Sequence, residues 1–156
     1  MSAAVEFSLN AASAAQITRH LLGCEADFVP PLSGRVEIDD YARKIARNAT
    51  RFEAWSGGTL VGLVAAYCND QEKRVAYITS VSVLRAWVGK GVAAQLLGQC
   101  VENAKSSGMR QICLEVARAN APAIKLYEKS GFVARKANAS VITMGQYLEG
   151  GEDHEK

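Results

Sequence analysis

Proline is scarce in this chain, with three among 156 residues, and histidine is scarcer, with only His20 and His154. The four cysteines (Cys24, Cys68, Cys100 and Cys113) contain no Cys-x-x-Cys pair. With so few histidines they offer no zinc-ligand spacing, and no metal site is expected. Cys68, Cys100 and Cys113 lie in apolar runs, the setting of reduced core thiols in a reducing compartment. A net charge of +2 is too small to draw a nucleic acid or a membrane surface. The tightest basic group (Arg43, Lys44, Arg47 and Arg51) stands at helical spacing behind Asp39 and Asp40 and reads as a solvated helix face. No apolar stretch reaches the ~18 residues of a membrane span. The first ten residues lack the basic start and apolar run of a secretory signal. These absences predict a cytoplasmic protein with neither nucleic acid, membrane nor metal among its partners.

What is present is the composition of a globular domain, 49% apolar and 22% charged. Residues 1–148 are expected to form one domain and residues 149–156 a charged, flexible tail. Val5 to Leu9 alternates as a strand, and Ala11 to Leu22 places Ala15, Ile17, Leu21 and Leu22 on one helical side. Asn10 or Ser13 can cap that helix, and Gly23 ends it. Phe28-Val29-Pro30-Pro31-Leu32-Ser33 cannot be regular helix. Ile38 to Ala49 returns to helical spacing. Arg51–Trp55, Thr59–Cys68 and Arg74–Val83 then read as an antiparallel meander, its first turn Ser56-Gly57-Gly58. Helix Gly91–Ser106, strand Arg110–Val116, helix Asn120–Lys129 and strands Phe132–Arg135 and Ser140–Leu148 complete the chain. The order β-α-α-β-β-β-α-β-α-β-β predicts an α/β (α+β) fold with one mixed, mostly antiparallel sheet of about seven strands flanked by helices. The strand-helix-strand unit through 91–106 makes one pair parallel.

Three segments carry chemistry. Between Val83 and Ala93, Gly89 and Gly91 remove side chains where a helix begins, so backbone N–H groups and the positive helix end can meet a phosphate. Lys90 or Arg85 can add charge. Two glycines at such a junction serve equally as plain turn chemistry. Glu115 projects opposite Ile112, Leu114 and Val116, beside Cys113. It either accepts a proton from an attacking amine or pairs with Arg110 or Arg118. Tyr127 follows Asn120 by seven residues, two turns along one helical face. Its phenol, with an ordinary pKa of about 10, can give a proton to a departing thiolate, or it is a core-edge tyrosine.

In order and spacing these segments resemble the GNAT acetyltransferase superfamily over Val75 to Val133. The most specific stretch is residues 114–132, Leu-Glu-Val-Ala-Arg-Ala-Asn-Ala-Pro-Ala-Ile-Lys-Leu-Tyr-Glu-Lys-Ser-Gly-Phe. It is particularly similar to the amino-terminal acetyltransferases that modify ribosomal proteins. The resemblance implies acetyl-coenzyme A as co-substrate, without metal, and direct attack of a neutral amine on its thioester. It also implies that the loop Arg/Gln-x-x-Gly-x-Gly/Ala, here Val88, Gly91 and Ala93 with Gly89, Lys90 and Val92 between, binds the pyrophosphate. Val88 departs from that pattern, so binding rests on backbone amides with side chains secondary. The backbone of Val81 and Val83 would pair with the pantetheine arm, Asn120 would hydrogen-bond it, Tyr127 would protonate the thiolate and Glu115 would be the general base.

The acceptor, a peptide N-terminus or another small amine, is expected to meet the segment before the meander, where Phe28, Pro31, Arg35 and Tyr41 are candidate contacts. A stiff loop of this kind lines a site or merely connects. Its Phe-x-Pro-Pro-Leu-Ser run is also similar to sugar-modifying relatives of polysaccharide pathways, which makes an amino sugar the alternative acceptor. A non-catalytic acetyl-coenzyme A sensor is the alternative of another class; it would need neither Glu115 nor Tyr127. The oligomeric state is open, a homodimer among the options.

Overall fold

Alternating strands and amphipathic helices assemble in the expected order. The computed structural model describes residues 4–148; the expected tail at 149–156 lies outside the described residues. Strands β1 (Glu6–Leu9), β2 (Thr50–Ser56), β3 (Thr59–Tyr67), β4 (Val75–Val83), β5 (Gln111–Ala117), β6 (Val133–Ala137) and β7 (Val141–Tyr147) form one seven-stranded sheet. Their spatial order is 1-2-3-4-5-7-6, and every neighbouring pair is antiparallel except β4–β5. Helices α1 (Ala14–Cys24) and α2 (Ile38–Asn48) cover one face, and α3 (Val92–Ser106) and α4 (Ala121–Lys129) the other. Period-2 alternation divides the strands between two cores: on β3, Val64 packs with Leu96 and Leu97, whereas Leu63 packs with Ile17 and Ile45.

Several local expectations are corrected. The buried stripe of α1 is Ile17, His20, Leu21 and Cys24, while Ala15 is exposed and Leu22 is 54% exposed. Ser13 supplies the cap, in a reciprocal capping box with Gln16. Gly23 does not end the helix, which continues to Cys24. A Cβ at residue 23 would lie 2.9 Å from Leu84 Cδ2, so Gly23 permits close packing. The proline segment contains single 3-10 turns at Glu25–Asp27 and Leu32–Gly34.

Arg51 is not on the basic helix face. It is buried on β2, where its guanidinium lies 3.3 Å from Glu53 and donates to the carbonyls of Ala46 and Ala12. Glu53 in turn accepts from the backbone N–H groups of Ala11 and Ala12, both at 3.0 Å. This buried network fixes where the chain enters α1. Among the cysteines, Cys24 and Cys100 are buried, whereas Cys68 and Cys113 are only half-buried. Phe132 precedes β6 and is buried, and β6 itself is an exposed edge.

Two irregularities open a site. The β3–β4 register shifts between Ala65, opposite Ser80, and Ala66, opposite Ile78, leaving Thr79 as an extra residue on β4. Such a bulge bends a strand and increases its twist. Pairing of β4 with β5 is confined to Val75–Tyr77 against Gln111–Cys113. Beyond it the strands part, β4 staying on β3 and β5 staying on β7. On β3, Gly62 lets α3 press against the sheet, since a Cβ there would lie 2.7 Å from Val92 Cγ1.

Candidate active site at the strand fork

The fork holds a cleft of about 540 Å3, within the usual range for small-molecule sites. Its walls bring together three sequence-distant pieces: Thr79–Val83 on β4, Glu115–Ala117 on β5, and the facing ends of α3 and α4. Past Tyr77 the β4 edge turned toward the cleft has lost its partner strand, leaving backbone groups to be matched by a ligand. Val81 and Val83 are on that edge.

The glycine loop is built for backbone contact. Gly89 and Gly91 both have φ of +82°, a left-handed conformation that disfavours any residue with a Cβ. Open space surrounds both, with no atom within 4 Å of where a Cβ would stand. Gly91 caps α3, whose first internal bond runs from Gln95 N–H to the Gly91 carbonyl at 3.0 Å. The preceding amides of Val92, Ala93 and Ala94 therefore have no carbonyl of their own helix to meet, and these residues line the cleft with Val88, Gly89 and Gly91. Lys90 is exposed and does not line it. Arg85 forms an ion pair with Asp27, so it tethers the turn after α1.

Opposite the loop, Tyr127 on α4 is 8% exposed and reaches the cleft, its ring edge-on to Phe132 at 6.2 Å. Burial pushes its phenol up to about 12, so it is protonated throughout the neutral range. Asn120 caps α4, its Oδ1 accepting from Ala123 N–H at 3.3 Å. That leaves its side-chain amide N–H groups available to the cleft it lines. Glu115 lines the β5 wall but is exposed, not interior. Among the described residues it has no ion-pair partner, and neither Arg110 nor Arg118 reaches it.

The acceptor candidates divide. Phe28 and Arg35 line the cleft; Pro31 and Tyr41 do not. Tyr41 instead holds the bulge, its hydroxyl donating to the Thr79 carbonyl at 2.6 Å with Thr79 Oγ1 at 2.9 Å. Burial raises its pKa, partly offset by those contacts. Groups on this wall that the sequence does not single out include Cys24, Ser80 and Ser82. Behind Ser82 lies His20, buried, its Nε2 2.9 Å from Ser82 Oγ.

A family model described as acetyltransferase (GNAT) family matches residues 15–132. The chain belongs to the GNAT acetyltransferase family. That family consists of acyltransferases that use acetyl-coenzyme A. Relatives of this GNAT chain include the N-alpha-acetyltransferase MAK3 of Arabidopsis thaliana, 28% identical over 86 residues, which are 54% of this chain and 45% of that protein. The aligned stretch thus spans less than half of that relative. A GNAT-family protein of Desulfovibrio desulfuricans shares the fold with a TM-score of 0.76 at 18% identity, over 92% of this chain and 99% of the other. The ribosomal-protein-S18-alanine N-acetyltransferase of Escherichia coli does so at 0.75 and 17%, over 95% and 98%.

The residues of this GNAT chain that sequence reasoning missed left a trace. Ile17, His20, Leu21 and Cys24 follow the helical steps of 3 and 4 that mark an inward stripe. On β4 the residues packed into the core beneath α3 and α4 fall at 76 and 78, then at 81 and 83, a skipped beat where the bulge lies.

Proposed function

We propose that this protein transfers acetyl from acetyl-coenzyme A to the amino terminus of a peptide. The observation carrying the proposal is the juxtaposition, across one cleft, of the open glycine loop at the head of α3 with buried Tyr127 and exposed Glu115. The co-substrate supplies an acetyl thioester, already activated toward amines. The unpaired amides at Gly91 to Ala94 would hold its pyrophosphate, and the free β4 edge at Val81 and Val83, with Asn120, its extended arm.

Tyr127 would hold a phenol proton toward the departing sulfur. A phenol at about 12 lies about 3.5 pH units above an ordinary thiol, a gap of roughly 5 kcal/mol. It therefore acts as a hydrogen-bond donor to sulfur, and solvent supplies the proton that stays. Glu115 would take a proton from the amine, directly or through water.

Amine acidity favours the peptide terminus. At pH 7.5 an α-amine is roughly one-third neutral, whereas a lysine amine is only about 0.1% neutral. The first needs little help to lose its proton, and the second a great deal. The N-alpha and S18-alanine activities of the relatives point the same way, and a reducing cytoplasm would suit the free thiols.

Thiol release from acetyl-coenzyme A is the test. The panel is peptides with free Ala, Ser or Met termini, the same peptides blocked but carrying lysine, glucosamine, and spermidine. Turnover with free-terminus peptides alone is expected. Release with glucosamine alone would transfer the reading to amino sugars. Acetyl-coenzyme A binding with no release from any acceptor would make the protein a sensor.

A further inference from the structure

The acceptor wall of the cleft carries a hydrogen-bonded chain to which the proposed reaction gives no part. His20 is 2% exposed. Its Nδ1 lies 2.8 Å from the carbonyl oxygen of Leu60, which can only accept, so Nδ1 bears the ring proton. The Nε2 lone pair therefore faces Ser82 Oγ at 2.9 Å, and the Ser82 hydroxyl must donate to it. Donation in that direction leaves the oxygen's two lone pairs for the neighbouring Cys24 thiol and for the cleft that Ser82 lines. Ser80, on the same face of β4, is 5% exposed, and its hydroxyl, whose neighbour is the Tyr41 hydroxyl, has no hydrogen-bond partner of normal geometry among the described residues. A buried hydroxyl facing a cleft without a partner is one a ligand's polar atom completes.

We propose that Ser82 and His20 form a proton relay for the acceptor amine, in which Ser82 Oγ receives the amine proton as its own passes to His20 Nε2. The proposal rests on the reading of this cleft as an acetyl-transfer site. Glu115 frees the amine from its ammonium form before attack. Once the C–N bond has formed, one N–H bond of the cationic adduct nitrogen breaks as an O–H forms on Ser82, and the original Ser82 O–H breaks as an N–H forms on Nε2. The imidazolium is held by the Leu60 carbonyl and returns the proton along the same path to water that enters the cleft after product leaves. No bond forms between the protein and the acetyl group.

The surroundings suit a relay. Burial lowers the His20 pKa, so the ring is neutral and its lone pair available near pH 7. Cys24 Sγ lies 3.7 Å from Nε2, but burial and then the Asp27 carboxylate push that thiol up to about 12, so it remains neutral. Asp27 is itself paired with Arg85, and Arg19, the next residue back on α1 that shares a small surface hollow with His20, is exposed. A weak base suffices, because the nitrogen of the tetrahedral adduct is positively charged and therefore strongly acidic.

The test uses the full chain, with acetyl-coenzyme A and an alanine-terminated peptide, glucosamine, spermidine or water alone as acceptor. Ser82→Ala should lower kcat about 10²-fold with unchanged acetyl-coenzyme A affinity. It should also remove the His20 contribution from the acid side of the pH profile, leaving only the limb due to protonation of the acceptor amine and its base. Ser82→Thr, which keeps the hydroxyl, should recover activity to within a few-fold. His20→Gln should match Ser82→Ala; if it does not fold, the two Ser82 variants decide. Ser82→Ala activity within threefold of the parent, acid limb unchanged, would overturn the relay and leave acetyl transfer standing. No thiol release by the unmodified protein with any acceptor or water would overturn both.

Discussion

Gly62→Ala tests whether the cofactor loop depends on how tightly α3 sits on the sheet. A Cβ at residue 62 would lie 2.7 Å from Val92 Cγ1, 3.2 Å from Leu96 Cδ1 and 3.4 Å from Ala54 Cβ. Val92 is buried and β-branched, with little rotamer freedom to yield. Overpacking of this kind costs about 1–3 kcal/mol. Removing a glycine from the unfolded chain returns about 0.4–1 kcal/mol. The net loss is about 1–2 kcal/mol, or roughly 3–6 °C in Tm for a chain of this length. The clash is relieved only by lifting the first turn of α3, which carries the amides of Val92 and Ala93 away from the β4 edge. Acetyl-coenzyme A should then bind about tenfold more weakly by titration calorimetry. Gly98→Ala is the control. That glycine is exposed, with nothing within 4 Å of its would-be Cβ, so alanine in mid-helix should stabilise by up to about 1 kcal/mol. Equal Tm values and equal affinities for Gly62→Ala and its parent would refute the seating argument.

Three other outcomes follow from named groups. Tyr127→Phe should reduce kcat about 10²-fold while leaving acetyl-coenzyme A affinity alone, and no basic limb from this phenol should appear below about pH 11; an unchanged kcat removes Tyr127 from the chemistry. Glu53→Gln leaves Arg51 buried without a counter-charge, which should cost about 3–5 kcal/mol by urea unfolding, and a midpoint unmoved would mean the network contributes nothing. His20 has a pKa below 6.5 when folded, so the unfolded chain binds a proton that the folded chain refuses. Stability is therefore complete above pH 6.5 and falls, by up to about 1.4 kcal/mol per pH unit from this group, as the pH drops toward the folded pKa. Comparing urea midpoints of the parent and Ser82→Ala, which retains His20, with those of His20→Gln at pH 7.5 and 5.5 isolates that slope.

Element order was legible because it rests on local periodicity. Ile38, Ala42 and Ile45 sit on one side of α2 whatever surrounds them, and all are buried. What failed rests on partners far along the chain. Glu53 is wholly buried because Ala11, Ala12 and Arg51 bring donors to it, and the donors at Ala11 and Ala12 are 42 and 41 residues away. Arg51 kept helical spacing with Arg47, but the helix had already ended at Asn48. His20 is polar, so hydropathy alone shifts the apparent apolar stripe of α1 to Leu22, which is exposed. The turn before α3 was legible, since the left-handed φ at Gly89 and Gly91 is a conformation that glycine adopts without steric cost.

The extra residue at Thr79 joins these threads, because it changes which way β4 faces. Before the bulge, Ala76 and Ile78 point into the core beneath α3 and α4. Unbroken alternation would send residues 80 and 82 there as well. With Thr79 inserted, Val81 and Val83 take that direction instead, opposite Val64 and Gly62. Ser80 and Ser82 fall opposite Ala65 and Leu63, on the face that α1 and α2 cover. One residue thus parts β4 from β5, bares the strand edge suited to an extended ligand, and delivers two hydroxyls to the wall where His20 waits. Tyr41 secures the arrangement by binding Thr79 twice. Its role as an acceptor contact in the sequence reading is replaced by a structural one: it holds open the fork on which the proposed chemistry depends.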